Sequence, residues 1–149
     1  MNTDLDKISA KVKDASKKIN KRIILCAGTG CVANGALKVY DAFLKTAKEL
    51  NIEVWVELKE ESKGMLVSQS GCQGFCQMGP LVSVLPEDIL YTKVKVEDVK
   101  EILEKSIIGG EVVERLCYSE NGSVYKGPNE IPFYKKQHRH VIKQCGRIA

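Results

Sequence analysis

The spacing of apolar residues changes along this chain in a way that separates strands from helices. Ile23 to Leu25 form a short apolar run that predicts a strand. After Cys31 the spacing becomes helical for about sixteen residues. Leu37, Tyr40, Leu44 and Ala47 mark one face of that helix, and Val39, Phe43 and Leu50 widen it. Ile52, Val54, Val56 and Leu58 then alternate with Glu53, Trp55 and Glu57, the period of two that a strand with one buried face requires. Trp55 falls on the opposite face, as a packing side chain. A shorter run, Met65 to Val67, follows. Leu81 to Leu85 and Ile89 to Tyr91 are separated by Pro86, Glu87 and Asp88, which predicts an antiparallel hairpin. A last helix is expected from about Val96 to Ile108, with Val99, Ile102, Leu103 and Ile107 on its apolar face. Acidic residues occupy its first turn, where the helix dipole favours them, and Gly109 and Gly110 stop it.

The two ends of the chain read differently. Ile8, Val12, Ala15 and Ile19 recur at helical spacing among lysines, a thin apolar stripe that needs a partner surface. The stretch SENGSVYKGPNE is polar and rich in turn formers, and reads as a linker. Beyond it, Ile131 to Cys145 predicts the start of a further helix ended by Gly146. The division is therefore an N-terminal helical extension (1–21), a central domain (22–118), and a linker with the start of a truncated region (119–149). Strand, helix, strand, then strand, strand, helix is the α/β order of a thioredoxin-like fold, a small mixed sheet with flanking helices.

Composition narrows the class. With 149 residues, 44% hydrophobic and 28% charged, the chain carries enough apolar material for one real core. No apolar run approaches the roughly eighteen residues that span a bilayer, and MNTDLDKISAKVK lacks the apolar centre of a signal peptide, so no membrane insertion and a cytoplasmic location are expected. The formal net charge of +4 is unevenly placed: residues 1–22 and 119–149 are basic and 23–118 are acidic. The basic ends lack interleaved aromatics or a reading motif, which argues for solvated faces or subunit contacts and against nucleic acid.

Six cysteines in a chain of this kind point to metal ligands or redox groups before disulfides. Cys26 and Cys31 lie in CAGTGC, and Cys72 and Cys76 in CQGFCQMGP, each pair directly after an apolar run. Either spacing lets one loop present two sulfurs to one edge of a metal centre. Four thiolates complete a [2Fe-2S] cluster or a tetrahedral zinc site. Gly28, Gly30, Gly71, Gly74 and Gly79 suit a loop that wraps closely around a bulky group, and amides freed in such turns can point at sulfur. Phe75 and Met78 are candidates to shield the site, and Pro80 to fix the loop exit. Cys117 and Cys145 read as buried or incidental thiols.

Other classes fit less well. A structural zinc site is the alternative, though zinc knuckles usually space their cysteines more closely. A thiol–disulfide oxidoreductase would need Cys-x-x-Cys at a helix start, which is missing. A Rieske-type cluster would need His138 and His140, which sit in the basic tail away from the glycine loops.

CAGTGCVANGA, GCQGFCQMGPLVSVLPEDILY, VKVEDVKEIL and IPFYKKQHRHVIKQCGRI together resemble the N-terminal thioredoxin-like [2Fe-2S] ferredoxin domain of the flavoprotein subunit of electron-bifurcating, NADH-linked iron hydrogenases. That subunit is similar to the NADH-oxidising subunit of NADH dehydrogenase. The resemblance implies that Cys26, Cys31, Cys72 and Cys76 ligate one [2Fe-2S] cluster and that the chain is an electron-transfer module, not an enzyme by itself. It implies iron–sulfur and flavin subunits of such a complex as partners. It also implies that FMN and NAD(H) belong to a missing part of the parent subunit, for no nucleotide-binding glycine loop is present.

Overall fold

The computed structural model describes residues 3–59, 61–143 and 145. Helix α1 (Thr3–Lys17) runs into strand β1 (Ile19–Cys26), which ends at the first cysteine. A short helix α2 (Thr29–Ala33) carries Cys31, and α3 (Ala36–Glu49) follows after Gly35, which holds φ +91° between them. Strand β2 (Val54–Trp55) and strand β3 (Gly64–Ser70) lead to the second cysteine pair. Strands β4 (Val82–Leu85) and β5 (Ile89–Tyr91) form the expected antiparallel hairpin. The closing helix is continuous but changes pitch, from a 3-10 turn (Val96–Asp98) through α4 (Val99–Glu101) to a π-helical segment (Ile102–Ile108). Gly110 follows it at φ +71°. No helix among the described residues is long and apolar enough to cross a membrane.

The five strands order as β2-β3-β1-β4-β5, with β1 parallel to β3 and antiparallel to β4. This is the mixed α/β sheet with flanking helices that the apolar pattern predicts. Because β1 lies in the centre, both cysteine loops leave the sheet from neighbouring strand ends: Cys26 pairs with Ser70 at the last rung of the β1–β3 ladder. Side chains alternate across the sheet. Ile23, Leu25, Val82, Val84, Ile89 and Tyr91 face a large core shared with α3 and the closing helix, while Leu90 joins Cys26, Cys31, Phe75 and Leu81 in a second cluster around the cysteines. Tyr91 ties the large core to the closing helix through a 2.6 Å hydrogen bond with Ser106, and its hydroxyl accepts from the Val113 amide at 3.1 Å.

Five expectations need correction. Leu37 is 44% exposed, and the buried row of α3 is Ala36, Val39, Phe43 and Ala47; the helix presents the side centred on Val39 and Phe43, one step around from the face centred on Leu37. The strand expected over 52–58 shrinks to β2 at the sheet edge, with Val56 exposed. Ser62 explains this, since its hydroxyl accepts from the Lys59 amide (2.8 Å) and donates to the Glu57 carbonyl (3.2 Å), taking that backbone out of the ladder. Ile19 belongs to β1 and not to the α1 stripe, of which Ala15 alone is buried while Ile8 and Val12 stay exposed.

The segment read as a linker is a second, two-stranded sheet, β6 (Tyr118–Glu120) and β7 (Ser123–Tyr125). Its turn is Asn121-Gly122, both with positive φ (51° and 79°), the geometry a tight hairpin turn requires. The helix expected over 131–145 is one turn only, α5 (Pro132–Lys135). It stops because the chain folds back, with Arg139 seated 4.1 Å from the centroid of the Tyr134 ring. The stop assigned to Gly146 lies outside the described residues.

Candidate metal centre

The strand ends deliver the cysteines and local backbone geometry finishes the placement. Cys26 closes β1 and is buried; its thiol lies 3.7 Å from the Gly71 carbonyl, across from the second loop. Cys31 is fully buried in α2. Cys72 and Cys76 flank a turn that Gly74 makes at φ +82°, and their sulfurs stand 3.6 Å apart. That separation matches the roughly 3.8 Å edge between two thiolates on one tetrahedral metal with bonds of about 2.3 Å. The Gly74 amide donates to the Cys72 sulfur at 3.3 Å, the kind of N–H···S contact that stabilises a thiolate.

Glycines let the two loops interlock. A Cβ on Gly28 would stand 3.0 Å from Cys72 Cα, one on Gly30 would stand 3.0 Å from Cys76 Cβ, and one on Gly79 would stand 2.7 Å from Cys31 Sγ. Each loop thus touches the other at a residue without a side chain. The four cysteines come as two sequence pairs on two facing loops. Among the described residues, no three His, Cys, Asp or Glu side chains gather tightly enough to hold a single ion.

Burial, reinforced by the neighbouring Cys26, pushes the Cys31 thiol up to about 12. A hydrogen bond with Cys72, followed by burial, raises Cys76. As free thiols both resist ionisation, and a bound metal would have to draw those protons off.

Aromatic side chains clamp the second loop from outside. Phe75, 6% exposed, stacks on Phe133 with centroids 4.5 Å apart and meets Tyr118 and Tyr134 edge-on at 5.2 and 5.3 Å. The Tyr134 hydroxyl donates to the Gln73 carbonyl at 3.2 Å. Gln73 is itself buried, with Nε2 donating to Ser70 Oγ at 3.1 Å and Oε1 accepting from Ser83 at 3.3 Å. Phe75 therefore anchors the loop; Met78 is half-buried against the same cluster, and Pro80 follows in a cis peptide. Tyr134, Gln73 and Arg139 escape a reading of cysteine spacing. The aromatic pair in IPFYKK was the available signal.

The profile of the thioredoxin-like [2Fe-2S] ferredoxin family matches residues 14–106, more than half of the chain. The chain belongs to that family. A 2Fe-2S ferredoxin of Aquifex aeolicus is 38% identical over 90 residues, covering 60% of this chain and 74% of that protein. One from Clostridium pasteurianum is 37% identical over 97 residues, covering 63% and 91%. The crystal structure of the wild-type thioredoxin-like [2Fe-2S] ferredoxin from Aquifex aeolicus superposes with TM-score 0.53 at 31% identity, covering 67% of this chain and 97% of that one. β6, β7, α5 and the tail lie beyond the matched residues, yet Tyr118 of β6 and Phe133 and Tyr134 of α5 pack directly on Phe75 of the cysteine loop.

The remaining two cysteines lie outside the four-cysteine set, in different surroundings. Cys117 is buried in the large core, and burial pushes its thiol up to about 11. At pH 8 only about one Cys117 in a thousand is then ionised. We expect iodoacetamide to leave Cys117 unmodified in the folded ferredoxin and to label it after unfolding, read by mass spectrometry; fast labelling of the native chain would contradict this burial. Cys145 is half-buried and lies beside Gly71, where a Cβ would stand 3.3 Å from its sulfur. His138 and His140 are exposed, on irregular backbone past α5 rather than on a helix surface.

Proposed function

We propose that Cys26, Cys31, Cys72 and Cys76 hold one [2Fe-2S] cluster, each sequence pair taking one iron. The observation that carries this is the pairing itself, two sulfurs 3.6 Å apart on one loop, facing a second pair across glycines whose Cβ atoms would strike the cysteines. When bound, such a cluster supplies a one-electron donor and acceptor couple. The chain's own residues then set access and electrostatics. Cys26 and Cys31 lie buried, whereas Cys72 is half-buried and Cys76 exposed, so the second loop is the edge at which a redox partner approaches. Phe75 and its aromatic neighbours hold that loop in shape, and the Gly74 amide holds charge on Cys72 sulfur.

The finer reading places this domain within the flavoprotein subunit of a hydrogenase or NADH dehydrogenase-like complex. Residues 22–118 would be the electron-transfer domain, 1–21 an extension, and 119–149 the lead into a flavin- and NADH-binding region. The motifs of the second cysteine loop and the tail IPFYKKQHRHVIKQCGRI support it. FMN and NAD(H) would then bind elsewhere in the parent subunit, and its iron–sulfur and flavin subunits would be the partners.

The test is a visible absorption and low-temperature paramagnetic resonance spectrum of anaerobically purified protein before and after dithionite, with iron, sulfide and zinc measured on the same sample. About two irons and two sulfides per chain, with a one-electron reduced signal, is the expected result. Zinc alone, persisting after iron–sulfur reconstitution, would overturn it in favour of a structural site. NADH added to the isolated chain is expected to leave the cluster oxidised; direct reduction by NADH would contradict the division of labour.

A further inference from the structure

The tail places a cation against the second cysteine loop, without a carboxylate partner among the described residues. Arg139 lies over the Tyr134 ring, and its Nε donates to Gln137 Oε1 at 3.1 Å. Its Nη2 is buried and finds no hydrogen-bond partner among the described residues. That nitrogen sits against Gly74, 3.4 Å from where a Cβ would be, and the Gly74 amide is the donor to Cys72 sulfur. The guanidinium thus lies beside the glycine whose amide meets the sulfur. A buried guanidinium nitrogen without a partner is costly unless negative charge lies close by. Among the described residues no carboxylate forms an ion pair with Arg139, although Asp88 lines a cavity with it; the anionic group on the Gly74 side would be the proposed cluster with its four thiolates.

We infer that Arg139 tunes the metal centre, acting through space as a fixed positive charge that favours the reduced state and raises the reduction potential. Reduction adds one negative charge to the cluster, so a cation held beside the second cysteine loop stabilises the product more than the reactant. Three contacts make the charge a fixed one. Tyr134 supports the guanidinium plane from below, Gln137 holds Nε, and the Tyr134 hydroxyl is itself tied to the Gln73 carbonyl next to Cys72. The electrostatics of Tyr134 agree: burial pushes its hydroxyl up to about 12, with Arg139 pulling it down and the cysteine thiolates pushing it further up, so the cation and the sulfurs act on the same ring. Gly74 suits the site through its positive φ of 82°, and a Cβ there would lie 3.3 Å from Ile142 Cδ1 and 3.4 Å from Arg139 Nη2. Arg139 lies outside the residues matched by the family profile, so this is a feature of the chain's own C-terminal segment. It is a positioning residue for charge, and it ligates nothing.

The inference rests on the cluster reading, and the experiment separates the two. Arg139→Gln, Arg139→Lys and Lys136→Gln are prepared in the full chain. Iron, sulfide and zinc are quantified first, and the midpoint potential is then measured by a titration followed by paramagnetic resonance. At the wild-type midpoint, R139Q is expected to lower the ratio of reduced to oxidised cluster about three- to tenfold, where tenfold is 59 mV for one electron. R139K, which keeps the charge, stays within about twofold of wild type. K136Q, which removes an exposed charge from the same tail, also stays within about twofold, because water and salt screen it. An unchanged midpoint in fully loaded R139Q overturns the inference, as does a K136Q shift of equal size. If R139Q loads poorly, Gln137→Ala keeps the charge and removes its tether, and a midpoint lower than wild type is expected; an unmoved midpoint in loaded Q137A then overturns the inference. A wild-type chain holding zinc and no sulfide would fail the cluster reading itself, and metal analysis shows this before any titration.

Discussion

Cys31→Ala is expected to leave less than about a tenth of the iron and sulfide of the wild-type chain, while Cys117→Ala keeps nearly all of it. Both cysteines are buried in apolar surroundings, so both substitutions remove a sulfur from a packed interior and cost similar stability, on the order of 1 kcal/mol or more. The difference between them isolates ligation from packing. In the proposed arrangement Cys31 shares one iron with Cys26, and the wall around Cys31 offers no replacement donor: Ala36, Phe75, Leu81, Leu90 and Ile131 share its apolar cluster. Alanine is the informative replacement because a serine oxygen can still bind iron. Measuring iron, sulfide and the unfolding midpoint on the same preparations checks the prediction. Equal cluster loss in both variants would mean that loading reports general integrity and not these four residues.

The parts of the fold that position the site were legible because their signals are local and periodic. β1 ends in Cys26, the β4–β5 hairpin turns at Pro86 to Asp88, and the closing helix buries Val99, Ile102 and Leu103 as its spacing predicts. The glycines of both loops also pointed to close approach, and Gly28, Gly30 and Gly79 are where the loops touch. What escaped the sequence depended on tertiary contacts. The β6–β7 hairpin looks polar because its strands are short and exposed at Ser119, Glu120 and Ser123; Asn121-Gly122 was the signal, and it was masked by neighbouring turn formers. The helix over 131–145 ends after one turn, and Arg139 folds back over Tyr134 beside the cysteine loop. That return is invisible until Phe75, Phe133 and Tyr134 are known to share one aromatic cluster. The four-cysteine set itself came from spacing, yet spacing says nothing of Gln73 or Arg139, which are neither ligands nor periodic.

The interlocking of the loops leads to the second large effect: Gly79→Ala is expected to lower cluster content to less than about half and to destabilise the chain by about 1–3 kcal/mol. Gly79 has ordinary extended backbone (φ −71°), so alanine meets no conformational penalty there and any effect is steric. The added Cβ would stand 2.7 Å from Cys31 Sγ, 3.3 Å from the Cys76 carbonyl oxygen and 3.4 Å from Cys31 Cα. One of these walls must move, and each is held. The Gly79 amide bonds the Cys76 carbonyl at 3.1 Å, and the flanking Met78 and Pro80 carbonyls accept from Lys93 and Val94 at 2.8 and 3.2 Å. On the other side, α2 is closed by Val32 to Gly28 and Asn34 to Gly30 at 3.0 and 3.2 Å. The sulfur of Cys31 yields most easily, which displaces a ligand by several tenths of an ångström in a site that tolerates little error in metal–sulfur distance. Gly35→Ala supplies the contrast. Gly35 has φ +91° with open space where its Cβ would lie, so alanine there costs about 1–2 kcal/mol of backbone strain and should leave iron and sulfide per chain unchanged. Urea unfolding together with metal analysis distinguishes the two; a Gly79→Ala chain that loads fully, with Gly35→Ala as the less loaded of the pair, would show that the contact between Gly79 and Cys31 does not shape the site.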